Sequence, residues 1–353
     1  MNRRTALREL AAGGGLLFVG CGLAQAGQRR AVTARGRRIR TVDIHAHCVV
    51  PKALELMGRR AAQQNTLWLE GAPLERRVKD MDAQGIDLAV LSINPNWYDL
   101  DRDTAVAVIA AQNEGLADFC GTHSDRFAAF ASVALQFPDL AADQLEHGMK
   151  QLGLRGAAIG GSVAGRELAN PQFNPFWARA ESLGAVVFIH PQAQGDLNGR
   201  LKGNGFLGNV IGNPLETTIA LSHLIFEGTL DRYPGLKICA AHGGGYLPSY
   251  MSRSDHGCTT FPDQCTPGTP KKPPTEYLKQ MYFDSLVFSP EGLRHLVAEV
   301  GADRIMLGTD YPYPWVSAPI DHVLATPGLA DADRTAILGG TAARLLGLAS
   351  RAS

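Results

Sequence analysis

The sequence predicts an α/β protein built as a (β/α)8 barrel, also called a TIM barrel. Eight short apolar runs rich in β-branched residues alternate with longer amphipathic, helix-like segments. The runs are apolar almost throughout, which is typical of parallel strands buried on both faces, and eight such units close a barrel. A doubly wound open sheet is the alternative fold, but no G-x-G-x-x-G motif follows the first predicted strand.

The predicted strands share short length, apolar composition and a turn signal at each end. They span residues 41–45, 88–93, 127–133, 156–159, 186–190, 237–241, 282–287 and 304–308. The main predicted helices span residues 104–120, 140–152, 174–183, 214–227, 291–300 and 331–346. Two longer segments, 49–86 and 251–276, are predicted insertions in the loops after strands 1 and 6, and such insertions usually cover a site or meet a partner.

The N-terminal residues 1–26 have the layout of a secretory signal. An Arg3-Arg4 pair precedes a short apolar run at 11–20 and a small-residue site at 24–26, and the paired arginines indicate twin-arginine export to the periplasm. The alternative is lipidation at Cys21, which alone would attach the protein to a membrane. A basic linker is predicted at 27–40, and the barrel domain is predicted at 41–348.

Composition narrows the class of protein. The chain has 353 residues, 45% of them hydrophobic and 19% charged, with a formal net charge of zero. This is an ordinary globular composition, and it gives no indication of a nucleic-acid partner. The six cysteines include no C-x-x-C pair, so a thiolate zinc site is not expected. Cys258 and Cys265 lie in one loop-like segment and would be able to pair in an oxidising compartment.

Metal-binding residue types follow four of the predicted strands. In a barrel the chemistry takes place at the carboxyl ends of the strands, so these side chains are expected to meet. Strand 1 ends in H-x-H, a spacing that places two imidazoles on one side of a strand. The five residues at these strand ends are His45, His47, His190, His242 and Asp310.

This set of residues predicts a divalent metal site. Imidazoles with one carboxylate suit Zn²⁺, with Mn²⁺ the second choice, and leave a position open for water or substrate. We assign His45, His47, His190 and Asp310 as ligands and His242 as the group that transfers a proton beside the metal. The alternative for His242 is a fifth ligand. Asp284, near the end of strand 7, is a candidate partner that orients a ligand histidine.

Several motifs together resemble one branch of the amidohydrolase superfamily. They are "DIHAH", "FNPFWARAESLGAVVFIHP", "PLETTIALSHLIFEGTLDRYPGLKICAAHGGGYLP" and "DRIMLGTDYPYP". The branch contains aminocarboxymuconate semialdehyde decarboxylase and related aromatic-acid decarboxylases, and the match covers nearly all of 39–348. The resemblance implies the same four metal ligands, with His242 as the catalytic histidine.

The resemblance also implies a homodimer. Arg253 matches an arginine that reaches into the neighbouring subunit's site and holds a substrate carboxylate, although a surface arginine is the simpler interpretation from the residues alone. The family's second substrate arginine has no aligned counterpart in 49–86. The candidates there are Arg59, Arg60, Arg76 and Arg77.

The expected activity is metal-dependent, non-oxidative decarboxylation of a small unsaturated or aromatic carboxylic acid. His242 and Asp310 are the expected catalytic groups, since either is able to supply the proton that replaces CO2. The alternative is a hydrolase, such as a lactonase or amidase, because the same metal and base can direct hydroxide to a carbonyl. A binding protein with a structural metal is the third interpretation.

Overall fold

The structure is a computed structural model that describes residues 29–34, 36–59, 67–192, 199–265 and 270–348. The predicted signal segment 1–26, including Cys21, lies outside the described residues. So does Arg60, one of the candidate substrate arginines.

Parallel strands form the centre of the fold. In the described part of the chain the barrel strands are β1 (Val42–His47), β2 (Leu88–Ser92), β3 (Phe127–Ala129), β4 (Gly156–Ile159), β5 (Val186–Ile189), β6 (Lys237–Ala240), β7 (Tyr282–Asp284) and β8 (Ile305–Met306). Strands β1 to β3 form one parallel sheet and β4 to β8 another.

Parallel bridges join the two sheets on both sides. Ala131 pairs with Ala157 between β3 and β4, and Ala46 pairs with Tyr311 beyond β8. The backbone N–H of Asp310 also donates to the His45 carbonyl, at 2.8 Å. The eight strands therefore follow one another around a ring, and the predicted (β/α)8 barrel is confirmed.

Helices connect the strands. They are α1 (Pro51–Leu56), α2 (Gly71–Gln84), α3 (Arg102–Thr122), α4 (Pro138–Lys150), α5 (Asn174–Leu183), α6 (Asn213–Phe226), α7 (Thr229–Arg232), α8 (Leu247–Thr260), α9 (Pro274–Leu278), α10 (Pro290–Val300), α11 (Pro319–Ala325), α12 (Asp331–Thr335) and α13 (Thr341–Leu345). The predicted helix at 331–346 is broken into α12 and α13 by a five-residue π-turn.

Side chains alternate between two apolar layers along each strand. In β5, Val186 and Phe188 belong to the cluster inside the barrel, whereas Val187 and Ile189 belong to the layer between strands and helices. This period of two explains the near-continuous apolar sequence of the strands, because both faces are buried.

The described part of the basic segment before β1 is attached to the barrel. Thr33–Ala34 and Arg37–Arg38 form a short antiparallel hairpin, and Val32 and Ile39 beside it are buried. Ion pairs attach the segment to the barrel: Arg38 to Asp87 at 2.5 Å, Arg29 to Asp82 at 3.3 Å, and Arg30 to Asp321. The charges are matched by acidic partners on the barrel, so this arginine-rich segment is part of the folded unit.

The two predicted insertions contain more helix than the sequence indicated. Residues 49–86 include α1 and the 14-residue α2, and α8 continues through the first part of 251–276 as far as Thr260. Cys258 and Cys265 form a disulfide at the end of α8. Within the described ranges, no helix is both long enough and apolar enough to cross a membrane.

Candidate metal centre

The end of β1 carries the H-x-H pair on an irregular piece of strand. Between Asp43 and Ala46 the register with β2 shifts by one residue, which marks a β-bulge. Bulges redirect side chains and are common beside active sites. The Nε2 atoms of His45 and His47 come within 3.1 Å of each other, so the two rings present one nitrogen each to the same point.

The other predicted residues meet the H-x-H pair at this point. Oδ1 of Asp310 lies 2.8 Å from Nε2 of His47 and 3.1 Å from Nε2 of His45, and Nε2 of His242 lies 3.7 Å from Oδ2 of Asp310. The ring centre of His190 is 4.6 Å from that of His47. The structure therefore brings all five predicted side chains together, while their individual roles stay predictions.

Backbone geometry directs the last two residues into the cluster. His242 and Asp310 both adopt left-handed backbone, with φ of 56° and 61°. Such strain in non-glycine residues concentrates at functional sites. A Cβ on Gly308 would lie 2.7 Å from Cβ of Asp284, so only glycine permits the close approach of this segment to β7.

Asp284 orients the cluster from beneath. Its Oδ2 accepts a hydrogen bond from Nδ1 of His45 at 2.7 Å and from the backbone N–H of His242 at 2.9 Å. Its Oδ1 accepts from the backbone N–H of Gly243 at 2.8 Å. With Nδ1 of His45 directed at this carboxylate, Nε2 is the ring nitrogen that faces the cluster, where a cation would take the place of its proton.

The electrostatics favour neutral imidazoles at His47 and His190, an ionised carboxyl at Asp310 and, while no cation is bound, a protonated His45. Burial lowers the pKa of His190 well below its usual value and that of His47 to about 4. Burial opposes ionisation of Asp310, but the neighbouring imidazoles, led by His45, outweigh it and lower the pKa of this carboxyl. For His45, burial is outweighed by Asp310 and Asp284, which raise the pKa to about 10.

His190 supplies the test of whether the residues fit a metal. Its side chain is buried, yet neither Nδ1 nor Nε2 has a hydrogen-bond partner among the described residues. Buried polar atoms without partners are rare, and a bound cation would provide a partner for one of these two nitrogens. One donor atom each from His45, His190, His242 and Asp310 lies within 4.8 Å of the others, so the set fits a single divalent cation. This set contains His242 where the sequence analysis assigned His47, so it agrees with the alternative that His242 is a ligand as well as with the proposed ligand set.

Replacing Asp284 by asparagine is expected to weaken metal binding by about 10- to 100-fold, because the carboxylate that orients His45 loses its charge. The measurement is the dissociation constant of the metal, by competition with a chelator. Asp231→Asn is the matched control, since Asp231 bonds Tyr277 outside the cluster. Unchanged affinity in Asp284→Asn would contradict the orienting role.

A cavity of about 750 Å³ opens onto the cluster through His190 and Asp310. Its wall combines carboxamides, including Gln192 and Asn209, with the aromatic rings of Tyr313 and Trp315. Aromatic walls with a few polar groups suit a flat, mostly apolar molecule.

None of the described candidate substrate arginines lines this cavity. Arg253 is exposed on α8, and Arg76 is exposed and pairs with Asp80. Arg77 is buried, donates to the carbonyl of His47 at 2.6 Å and stacks on Tyr311. Arg77 therefore holds the backbone of the H-x-H motif in place. The sequence did not indicate this structural role, because a charged residue is usually exposed.

The barrel and the cluster at the carboxyl ends of its strands define a metal-dependent barrel enzyme. The amidohydrolase family model matches residues 42–348. The chain belongs to the amidohydrolase family.

Similar proteins of known activity place the chain in the decarboxylase branch that the sequence motifs indicated. The 2-amino-3-carboxymuconate-6-semialdehyde decarboxylase of Dictyostelium discoideum is 33% identical over 276 residues, covering 77% of this chain and 76% of that protein. Gamma-resorcylate decarboxylase of Rhizobium sp. strain MTP-10005 is 32% identical over 292 residues, covering 77% of this chain and 86% of that protein.

A solved structure of a decarboxylase has a similar fold. Dihydroxybenzoic acid decarboxylase from Polaromonas sp. JS666, with bound manganese and the inhibitor 2-nitroresorcinol, superposes with a TM-score of 0.76 at 28% identity, covering 87% of this chain and 97% of that one. These findings confirm the predicted branch and support a divalent-metal site.

Proposed function

We propose that the protein is a metal-dependent, non-oxidative decarboxylase of a small aromatic carboxylic acid. The observation that carries this proposal is the cluster of buried imidazoles and one carboxylate at the floor of a cavity with aromatic walls. The relatives named above, all decarboxylases, support the reaction type.

The proposed metal ligands are His45, His47, His190 and Asp310, with Zn²⁺ as the ion favoured by three imidazoles and one carboxylate. The related structure with manganese makes Mn²⁺ the competing ion. When bound, the cation supplies a Lewis acid that polarises a substrate oxygen. Metal analysis of the purified protein distinguishes the two ions.

His242 is the proposed proton-transfer group. Its side chain is 15% exposed and lines a neighbouring cavity of about 360 Å³, which shares Asn209 and Trp315 with the larger one. Asp284 fixes its backbone. In the reaction the bond between the ring carbon and the carboxylate breaks, CO2 leaves, and the electron pair left on carbon takes a proton. His242 delivers that proton, and Asp310 holds the imidazole in place.

The test is CO2 release from a panel of aromatic and muconate-type acids, with the metal content of each sample quantified. Release that depends on bound metal supports the proposal. Ring or ester opening without CO2 would instead establish the hydrolase alternative.

We propose that the protein acts as a homodimer in which each chain supplies Arg253 to its partner's site. Arg253 is exposed on α8 and does not line the cavity of its own chain. Its fork of donors suits a carboxylate. Sedimentation gives the oligomeric state. Arg253→Ala is expected to raise KM with little change in metal content, and Arg294→Ala, at an exposed position on α10, is the control.

We propose export to the periplasm by the twin-arginine route. The disulfide between Cys258 and Cys265 supports an oxidising compartment. The mass of the mature N-terminus tests the proposal, because cleavage after Ala26 and lipidation at Cys21 give different products, and an uncleaved chain contradicts both.

A further inference from the structure

The ring of His190 lacks the side-chain contact that fixes each imidazole of the H-x-H pair. Nδ1 of His45 lies 2.7 Å from Asp284, and Nδ1 of His47 lies 3.3 Å from the hydroxyl of Ser92. Neither ring nitrogen of His190 has a hydrogen-bond partner within the residues that the structure describes. The orientation of the His190 ring therefore depends on its backbone and on packing against neighbouring rings.

The backbone around His190 is held by two hydrogen bonds. The backbone N–H of His190 donates to the Ile159 carbonyl at 3.0 Å. Pro191 follows and has no N–H, so the next backbone donor along the chain is the N–H of Gln192. This N–H donates to Oε2 of Glu216. One bond before and one bond after the Cα of His190 thus fix the segment that carries the ring.

The carboxyl of Glu216 is buried among three elements of the barrel. Glu216 lies in the first turn of α6 and is 3% exposed. Its Oε1 accepts from the hydroxyl of Ser162, after β4, at 3.5 Å, and a Cβ on Gly161 would lie 2.7 Å from Cγ of Glu216. Only glycine permits this approach. Burying a carboxyl costs free energy unless hydrogen bonds satisfy it, and here those bonds join α6 to the ends of β4 and β5.

We propose that Glu216 is a positioning residue for the metal centre, whose carboxyl fixes the backbone after β5 and so directs the imidazole of His190 at the cation. Glu216 does not line the cavity of about 750 Å³, so it acts on the metal through His190. The role rests on the proposed function, because His190 binds the metal only under that assignment. His190 belongs to the ligand set with His242 as well as to the set with His47.

The first measurement is the dissociation constant of Co²⁺ for the full chain stripped of metal, by competition with a chelator. Glu216→Gln keeps the shape but replaces one acceptor oxygen with an amide nitrogen. We expect the dissociation constant to rise about tenfold, the lower end of the usual effect of residues that orient metal ligands. Glu181→Gln is the matched control and should bind Co²⁺ as wild type does, because Glu181 on α5 accepts from the backbone N–H of Gly235 at 2.7 Å, outside the cluster.

A double-mutant cycle shows whether Glu216 acts through His190. In His190→Ala the imidazole is gone, so adding Glu216→Gln should change the Co²⁺ dissociation constant by no more than about twofold. In His45→Ala, where His190 remains, the same substitution should again weaken binding about tenfold. A general loss of stability would instead weaken binding equally in both backgrounds.

The visible spectrum of bound Co²⁺ provides a second readout, because its bands depend on the number and arrangement of the ligands. We expect the spectrum of Glu216→Gln to move toward that of His190→Ala, and the spectrum of Glu181→Gln to match wild type. Where circular dichroism shows that Glu216→Gln does not fold, Glu216→Asp replaces it in the same measurements, since aspartate keeps the carboxyl but withdraws it from Gln192.

Two results would overturn the proposal: wild-type Co²⁺ affinity and spectrum in the Glu216 variant, or equal weakening in the His190→Ala and His45→Ala backgrounds. CO2 release is measured separately on wild type. The expected coupling without any CO2 release would contradict the proposed function and leave the role of Glu216 in place. A chain that binds no Co²⁺ would contradict both.

Discussion

Substituting His242 with asparagine is expected to lower kcat by about 10²- to 10⁴-fold, the usual contribution of a positioned acid or base. Asparagine keeps a polar side chain at this position but cannot deliver a proton. Metal content should stay near that of wild type, because the four proposed ligands are untouched. The measurements are kcat from CO2 release and metal per chain from elemental analysis.

His295→Asn is the matched control for His242→Asn. His295 lies on α10 with its side chain 44% exposed, away from the cluster, so this variant should retain full turnover. Undiminished kcat in His242→Asn would end the assignment of His242 as proton donor. Loss of metal together with kcat would favour the alternative that His242 is itself a ligand.

Substituting Asp310 with asparagine is expected to affect both metal and turnover. The carboxylate is the one anionic member of the proposed ligand set, and its Oδ1 lies within 3.1 Å of the Nε2 atoms of both H-x-H histidines. The amide has almost the same shape but no charge. The metal dissociation constant should therefore rise by at least the 10- to 100-fold expected for Asp284→Asn, because Asp284 acts on the metal only through His45.

Turnover of Asp310→Asn should then fall to background at metal concentrations that saturate wild type. Excess metal restores occupancy but only part of the activity, since Asp310 also contacts His242. The control is Asp303→Asn, at an exposed carboxylate. Wild-type metal affinity in Asp310→Asn would exclude Asp310 as a ligand.

The sequence was informative wherever burial imposed a regular pattern. All eight strands were predicted near their true positions, because both faces of a barrel strand are apolar. The strand at 127–133 was predicted too long: Ala131 pairs only as an isolated bridge, and the apolar residues beyond it are buried without belonging to a strand. Apolar composition reports burial rather than hydrogen bonding.

The missed features depend on tertiary contacts. Helix α2 begins with Gly71 and has Pro73 in its first turn, and it is highly charged, so its signal was weak. Arg77 on α2 is buried because it meets the His47 carbonyl and the Tyr311 ring, neither of which is near it in sequence.

The contact that closes the barrel, between β1 and the segment after β8, has a consequence for biogenesis. His45 and Asp310 lie near opposite ends of the barrel domain in sequence. They meet where the backbone N–H of Asp310 donates a hydrogen bond to the His45 carbonyl and β1 joins the segment after β8. A nascent chain thus lacks Asp310, the proposed anionic ligand, until synthesis is nearly finished, so under this assignment the metal binds only after the barrel domain is complete. An export system that transports only folded proteins would then carry the protein with its metal ion already bound.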